Sequence, residues 1–166
     1  MNHSNLVLTE IEKLSTDPES NMGTLSGLQR RFGFEYNGMR NHEVYFSTLS
    51  GGAHSLPINS LLKPALAKQW GSFEAWLDLF RAIATTRGIG WAMLYYDRTE
   101  KRLLNAWVDE QHLGQLQNCT PILALDMWEH SYVADYQPSG KKQYIADFFA
   151  NVNWHIVEQN FLIAQK

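Results

Sequence analysis

Three short apolar segments near the middle of the chain constrain the fold most strongly. They are "GWAMLYYD" (90–97), "RLLNAWVD" (102–109) and "TPILALD" (120–126), and each is rich in the aromatic and aliphatic residues that strands favour. The connections "RTEK" and "EQHLGQLQNC" carry turn-forming and polar residues. The sequence therefore predicts a three-stranded antiparallel meander.

Helical patterns occupy the N-terminal part. "LVLTEIEKL" (6–14) places Leu and Ile at helical spacing, whereas "TDPESNMGTLSG" (16–27) interrupts the pattern with Pro and Gly. A second helix is expected from about Asn37 to Leu49. The following "GGAHSLPINS" is typical of a linker, so we expect an N-terminal helical hairpin lobe over residues 1–56 and a C-terminal α/β lobe over residues 57–166.

Further helices are expected on both sides of the strands. "LLKPALAKQW" and "SFEAWLDLFRAIATTRG" have helical periodicity, with Ser72 as N-cap and Gly88 at the end of the second segment. The tail "KKQYIADFFANVNWHIVEQNFLIAQ" is helical as well. The fold class predicted from these patterns is α+β, with a helical hairpin followed by an α/β lobe that holds a three-stranded antiparallel sheet.

Charge and cysteine content narrow the setting. The 166 residues carry a net charge of -3, with a pI near 6.0, so no overall positive field would attract nucleic acid or anionic membranes. Cys119 is the single cysteine, which fits a reducing compartment. The first residues have no basic start and no long apolar run. We expect a cytoplasmic protein.

The stretch "LDMWEHSYVADY" (125–136) concentrates polar and aromatic groups. The third apolar segment ends at Asp126. A helix beginning near Met127 would turn the His130 imidazole toward the Asp126 carboxylate. An Asp and a His four residues apart are more often a hydrogen-bonded pair than a metal site. Trp128 would exclude solvent beside them, and Glu129 would need a partner if it were buried.

A second imidazole precedes the linker. His42 shares a helical face with Tyr45 and Phe46 in "EYNGMRNHEVYFSTL", a pattern that also fits a core histidine with one hydrogen bond. Two imidazoles and one carboxylate suit Fe or Mn as well as Zn, and the lack of a cysteine pair disfavours structural zinc. A metal-dependent oxygenase uses the same donors, but no residues are evident that would hold its cosubstrate.

Several blocks together resemble the iron/manganese superoxide dismutase family. They are "DMWEHSY" (126–132) with the flanking "TPILAL" and "ADYQPSGKKQYIADFFANVNWHIVEQNF", together with "GIGWAMLY", "WGSFEAW" and "MRNHEVYF", and the match covers residues 37–166. The resemblance implies conversion of superoxide to dioxygen and hydrogen peroxide by one Mn or Fe ion per chain. It also implies that His42, Asp126 and His130 are three of four protein ligands.

Other roles follow from the resemblance alone. In the family, a glutamine hydrogen-bonds the metal-bound solvent, reaching in either from the helix of the second histidine or from the loop before the motif. Gly38 cannot fill the helix position, so Gln111 in the loop is expected to do so, or His112 if the register differs by one. This arrangement resembles the manganese or metal-flexible members. Trp128 and Trp91 would wall the pocket.

The motif glutamate also implies a partner. In dimeric members it resembles a bridge to the metal-ligating histidine of the other subunit, so Glu129 indicates a homodimer, with a tetramer as the alternative. Tyr132 and Tyr45 are expected close to this bridge and to the ligands.

The N-terminus departs from the family pattern. Family members carry a ligand histidine on the first helix and a tyrosine about two turns later. The helical register here places Asn2 or His3 at the ligand position and Glu10 or Ile11 at the tyrosine position. Two interpretations stay open: a working dismutase in which His3 or solvent completes the site, or a dismutase-fold protein with an incomplete site, little activity and a binding or structural role.

Overall fold

The computed structural model describes residues 2–166 and has the predicted α+β fold class. Helices precede, flank and follow one antiparallel sheet. The elements in chain order are α1 (Asn2–Leu14), α2 (Pro18–Leu49), α3 (Leu62–Trp70), α4 (Phe73–Ala84), β1 (Gly90–Asp97), β2 (Arg102–Asp109), β3 (Cys119–Asp126), α5 (Val133–Tyr136), α6 (Lys141–Asn151) and α7 (Trp154–Ala164). Within residues 2–166, no helix combines the length and apolar character needed to cross a membrane.

The helical hairpin turns far more tightly than expected. The predicted break over residues 16–27 was wrong, because α2 already begins at Pro18 and runs for 32 residues. Asp17 caps it by accepting from the Ser20 amide at 3.3 Å. Proline at the first helical position loses no hydrogen bond, so it starts this helix instead of interrupting one. Gly23 and Gly27 lie inside α2 with open space around them.

The sheet has the order β2-β1-β3, so the predicted meander was wrong. Both outer strands pair antiparallel with β1. Strand β2 ends at Asp109 opposite Gly90, whereas β3 begins at Cys119 opposite Asp97. Residues 110–118 must therefore run back along the whole length of β1. This crossing segment carries Gln111 over one face of the sheet.

The two faces of the sheet are both buried. On one face Ala92, Leu94 and Tyr96 pack into the large core together with side chains of α3, α4, α6 and α7. On the other face Trp91, Met93 and Tyr95 form a smaller core against α2 and the crossing segment. Because both faces are covered, β1 is buried from Gly90 to Tyr96 instead of alternating.

The tail is two helices and not one. Asn153 breaks the pattern: its side chain caps α7 by accepting from the His155 amide at 3.1 Å. Its own amides tie the tail to the end of α2 through Thr48 O (2.7 Å) and Ser50 O (2.7 Å). The predicted cap of α4 is correct, since the Ser72 hydroxyl accepts from the Ala75 amide. That helix ends at Ala84, before Gly88. The lobe division at residue 56 stays a prediction.

Candidate metal centre

Asp126 is held in place at the end of β3. Its side chain is only 2% exposed, and Oδ1 accepts from the Trp128 amide at 2.9 Å. Its carbonyl accepts from the hydroxyls of Tyr144 (2.8 Å) and Ser131 (3.0 Å). A strand followed by a tight 3₁₀ turn at Glu129–Ser131 produces this arrangement. The remaining carboxylate oxygen, Oδ2, faces two imidazoles.

Two histidines converge on Oδ2 of Asp126. His130 Nε2 lies 3.1 Å from this oxygen and His42 Nε2 lies 3.5 Å from it. The Nδ1 of His42 donates to Gly38 O at 2.6 Å, which fixes the ring and leaves Nε2 for another partner. One donor atom from each residue lies within 4.8 Å of the other two. No other group of three such side chains occurs among residues 2–166.

The electrostatics suit a cation. The hydrogen bond that the His42 imidazolium donates to Asp126 raises the pKa of His42 above its ordinary value, while partial burial opposes that rise. The carboxylate therefore favours positive charge at this point. Two imidazole nitrogens and one hard carboxylate oxygen form a donor set that fits Mn or Fe.

Gln111 reaches the same site from the crossing segment. Its side chain is buried, and Oε1 accepts from Trp91 Nε1 at 3.0 Å. This bond orients the amide so that Nε2 remains available as a donor. Its backbone carbonyl accepts from Asn41 Nδ2 at 3.0 Å. The alternative residue, His112, contacts Phe34 edge-on instead.

A cavity of about 170 Å³ lies beside His42 and Gln111. It is lined by His3, Ser4, Phe34, Glu35, Gly38, Met39, His42 and Gln111. His112 is not among these residues, so the structure brings Gln111 to the cavity in preference to its neighbour.

His3 lies at the cavity but apart from the three converging groups. Its side chain is exposed on α1 and is not among the ligand atoms within 4.8 Å of one another. The side chain of Asn2, the other predicted position, lies outside the described residues. Neither Glu10 nor Ile11 lines the cavity: Ile11 is buried, and Glu10 lies 3.7 Å from Lys13 Nζ.

Aromatic rings surround the converging groups. Trp91 is fully buried and meets His42 edge-on, with ring centroids 4.8 Å apart. Trp128 is half-buried, stacks on His130 at 5.7 Å and donates from Nε1 to Glu110 O. Tyr45 contacts Trp91 at 6.3 Å. Trp91 thus covers one side of the His42 imidazole, and Trp128 covers one face of the His130 imidazole.

One side of the site stays open. The His130 side chain is 54% exposed, and the neighbouring Glu129 is exposed as well instead of buried. Glu129 forms no ion pair with any residue that the structure describes. Behind this surface, Tyr132 is buried and stacks on Tyr144 at 5.5 Å.

Comparison with known proteins identifies the family. The family model for iron/manganese superoxide dismutases, C-terminal domain, matches residues 58–160. The chain belongs to the iron/manganese superoxide dismutase family. Its resemblance to these dismutases, inferred from the sequence, is therefore confirmed.

Individual dismutases match over most of the chain. An iron superoxide dismutase of Cupriavidus metallidurans is 38% identical over 85% of this chain and 70% of its own length. An iron enzyme of Tetrahymena pyriformis is 31% identical over 97% of this chain and 84% of its own length. Manganese superoxide dismutase 2 of Haloferax volcanii is 36% identical over 80% of this chain, which spans 65% of that relative. Both metals thus occur among similar dismutases.

Two residues that support the dismutase site were not predicted from the sequence. Asn41 holds the crossing segment, and Tyr144 holds the Asp126 carbonyl while its hydroxyl lies 3.1 Å from that of Tyr45. Asn41 adjoins His42, but its residue type alone gives no sign of a partner 70 positions away. Tyr144 lies within an apolar helical pattern and was indistinguishable from core.

Proposed function

We propose that this chain is a superoxide dismutase, an antioxidant oxidoreductase that holds one Mn or Fe ion through His42, Asp126 and His130. The observation that carries this proposal is the convergence of His42 Nε2, His130 Nε2 and Asp126 Oδ2 at one point; His42 also lines a small cavity. When bound, the ion would supply the electron exchange that converts superoxide to dioxygen and hydrogen peroxide.

The chain itself would orient the metal-binding atoms and leave room for the substrate. The Gly38 carbonyl keeps a proton on Nδ1 of His42, so that Nε2 can bind a cation. The cavity of about 170 Å³ that His42 and Gln111 line has room for a diatomic anion. Gln111 would donate its amide to an oxygen there, while Trp91 and Trp128 exclude water.

His3 is proposed as an additional ligand, because it lines the cavity that His42 also lines. Its exposed position on α1 requires the side chain to turn inward when metal is bound. His3→Ala tests this role through the metal content and the affinity for manganese. A weakened affinity supports the assignment, whereas an unchanged affinity assigns the remaining position to solvent.

The decisive experiment measures metal and activity on the same samples. The protein would be reconstituted with Mn and, separately, with Fe, and compared with His130→Ala and with His155→Ala. His155 is an exposed histidine on α7 and serves as the matched control. We expect about one ion per chain with dismutation in the wild type and the control, and loss of both in His130→Ala. Metal binding without dismutation would favour the dismutase-fold protein of little activity.

We further propose a homodimer that closes the open side of the site. Glu129 and His130 are exposed side by side, and Phe46 nearby is 62% exposed while it stacks on His42. Exposed apolar and charged groups next to the metal-binding residues suit a second copy. Sedimentation of the wild type and of Glu129→Ala tests this proposal: the variant should dissociate more readily, and a monomeric wild type would overturn it.

Metal choice and location are part of the proposal. The pairing of Gly38 with Gln111 resembles the manganese or metal-flexible members, so we propose manganese as the slightly preferred ion. The lone Cys119 needs no oxidising compartment, which supports a cytoplasmic location. Metal analysis of protein purified from its own cells, after fractionation, tests both statements.

A further inference from the structure

Cationic side chains gather at the end of the sheet remote from the metal centre. Two adjoining cavities, of about 450 Å³ and about 390 Å³, share this region. The cations that line them, which we call the basic groove, are Lys68, Arg98, Lys101, Arg102 and Lys166. The rings of Tyr96 and Phe161 meet edge to face in its floor.

The basic groove lies too far from the ligands to serve the dismutase reaction directly. Trp91 pairs with Asp126 at one end of β1, and Asp97 pairs with Arg102 at the other end. Six residues of extended strand separate these ends by about 20 Å. An anion bound in the basic groove would therefore lie far from the cavity beside His42, where superoxide would react.

In the part of the chain that the structure describes, none of the five cations of the groove forms an ion pair. Asp97, at the end of β1, uses Oδ1 to accept from the amides of Thr99 and Glu100. Arg98 donates only from Nε, to the Thr120 hydroxyl at 3.1 Å. The terminal guanidinium nitrogens therefore remain available.

The backbone at Lys101 supports a role for its side chain. This residue has a φ of 51° in the turn between β1 and β2. Glycine adopts this left-handed conformation most readily, and a lysine there lowers stability relative to glycine. The chain places a long cation at this strained position, at the edge of the cavity.

We propose that the basic groove binds a small phosphate-bearing anion, of the size of a nucleoside di- or triphosphate. Several unpaired cations around a concavity of this volume suit a short chain of phosphates. The net charge of -3 disfavours extended polyanions, which would also meet the acidic remainder of the surface. A free nucleotide and inorganic triphosphate share this chemistry.

Calorimetric titration of the full chain tests the proposal. ATP and inorganic tripolyphosphate would be titrated separately without divalent cations, at moderate salt. Saturable binding of both supports a phosphate site, and tighter binding of ATP identifies a nucleotide as the ligand. Absence of saturable binding at millimolar concentration would overturn the proposal, as would preferential binding of a single-stranded oligonucleotide.

Two variants separate binding from folding. Lys101→Gly removes a cation and relieves the turn, so it should melt no lower than the wild type and bind about tenfold more weakly. Lys63→Ala is the matched control, since this exposed lysine lies on α3 outside the groove. Equal weakening by both variants would show nonspecific attraction and overturn the site. Dismutation should be unchanged in both.

Discussion

The side chain of Gln111 occupies the space between α2 and the crossing segment that a side chain at Gly38 would otherwise fill. A Cβ added to Gly38 would lie 3.0 Å from Cδ and Oε1 of Gln111. The missing side chain on the helix is thus what admits the amide from the loop. Trp91 fixes the orientation of the same amide. The position of the Gln111 amide at the cavity therefore depends on Gly38 on one side and on Trp91 on the other.

Gly38→Ala should lower dismutation about tenfold while the protein stays folded and retains its metal. The new methyl group would push the Gln111 amide away from its place, because a 3.0 Å approach is too close for carbon. The Gln111 side chain is flexible enough to yield without unfolding the helix. Activity per bound ion, measured after reconstitution, checks this expectation.

Gly27→Ala is the control on the same helix. Nothing lies within 4 Å of the added Cβ there, so the substitution should raise the free energy of unfolding by about 0.5–1 kcal/mol through helix propensity. Its activity should equal that of the wild type. If Gly38→Ala behaved in the same way, steric exclusion of Gln111 would be refuted.

Asn41→Ala should destabilise the protein by about 2 kcal/mol. Its amide donates to the Gln111 carbonyl, and its oxygen accepts from Gln115 Nε2 at 2.9 Å in a buried setting. Removal leaves both partners unsatisfied and loosens the crossing segment. Asn37→Ala, which removes a bond to Gly33 O within α2, should cost less. Urea unfolding of both variants, with activity per metal ion, distinguishes them.

Local patterns predicted the elements but not their arrangement. The segments at 90–97 and 102–109 match β1 and β2, and Asp126 ends a strand as predicted. His130 lies in a short 3₁₀ turn at Glu129–Ser131, not on the helix expected from about Met127. The strand order depends on a connection that recrosses the sheet, and polar loop residues do not encode its direction. Asn41 contributes through a contact 70 positions away, beyond the reach of any periodicity.

Stability should fall in alkali partly because of Tyr95. Burial raises the pKa of this phenol above its ordinary value. The pKa of the phenol is higher in the folded state than in the unfolded state, where it is about 10. The stabilisation that comes from this difference is fully present below the unfolded pKa and is lost as the pH rises toward the folded pKa. Tyr95→Phe should therefore reduce the fall in unfolding free energy between pH ~8 and pH ~11.

The same variant has a cost near neutral pH. Tyr95 donates to Gln115 Oε1. Loss of this hydrogen bond in Tyr95→Phe should lower the free energy of unfolding near neutral pH by about 1 kcal/mol. Tyr36→Phe provides the control, because Tyr36 is 38% exposed on α2. Urea unfolding at both pH values measures the two effects. An identical alkaline fall in the wild type and in Tyr95→Phe would count against the buried phenol as a cause.

Trp91→Phe should reduce activity per metal ion about tenfold without loss of metal. The indole N–H donates to Gln111 Oε1, and its loss leaves a buried acceptor unpaired at a cost of about 1–3 kcal/mol. Trp107→Phe is the matched control: its indole also donates to a side chain, Asp109 at 2.7 Å, but in an exposed setting. Water replaces the indole as the hydrogen-bond donor to Asp109, so the stability and activity of Trp107→Phe should change little. Loss of activity in both variants would point to general damage to the sheet, whereas loss in Trp91→Phe alone assigns the effect to the orientation of Gln111.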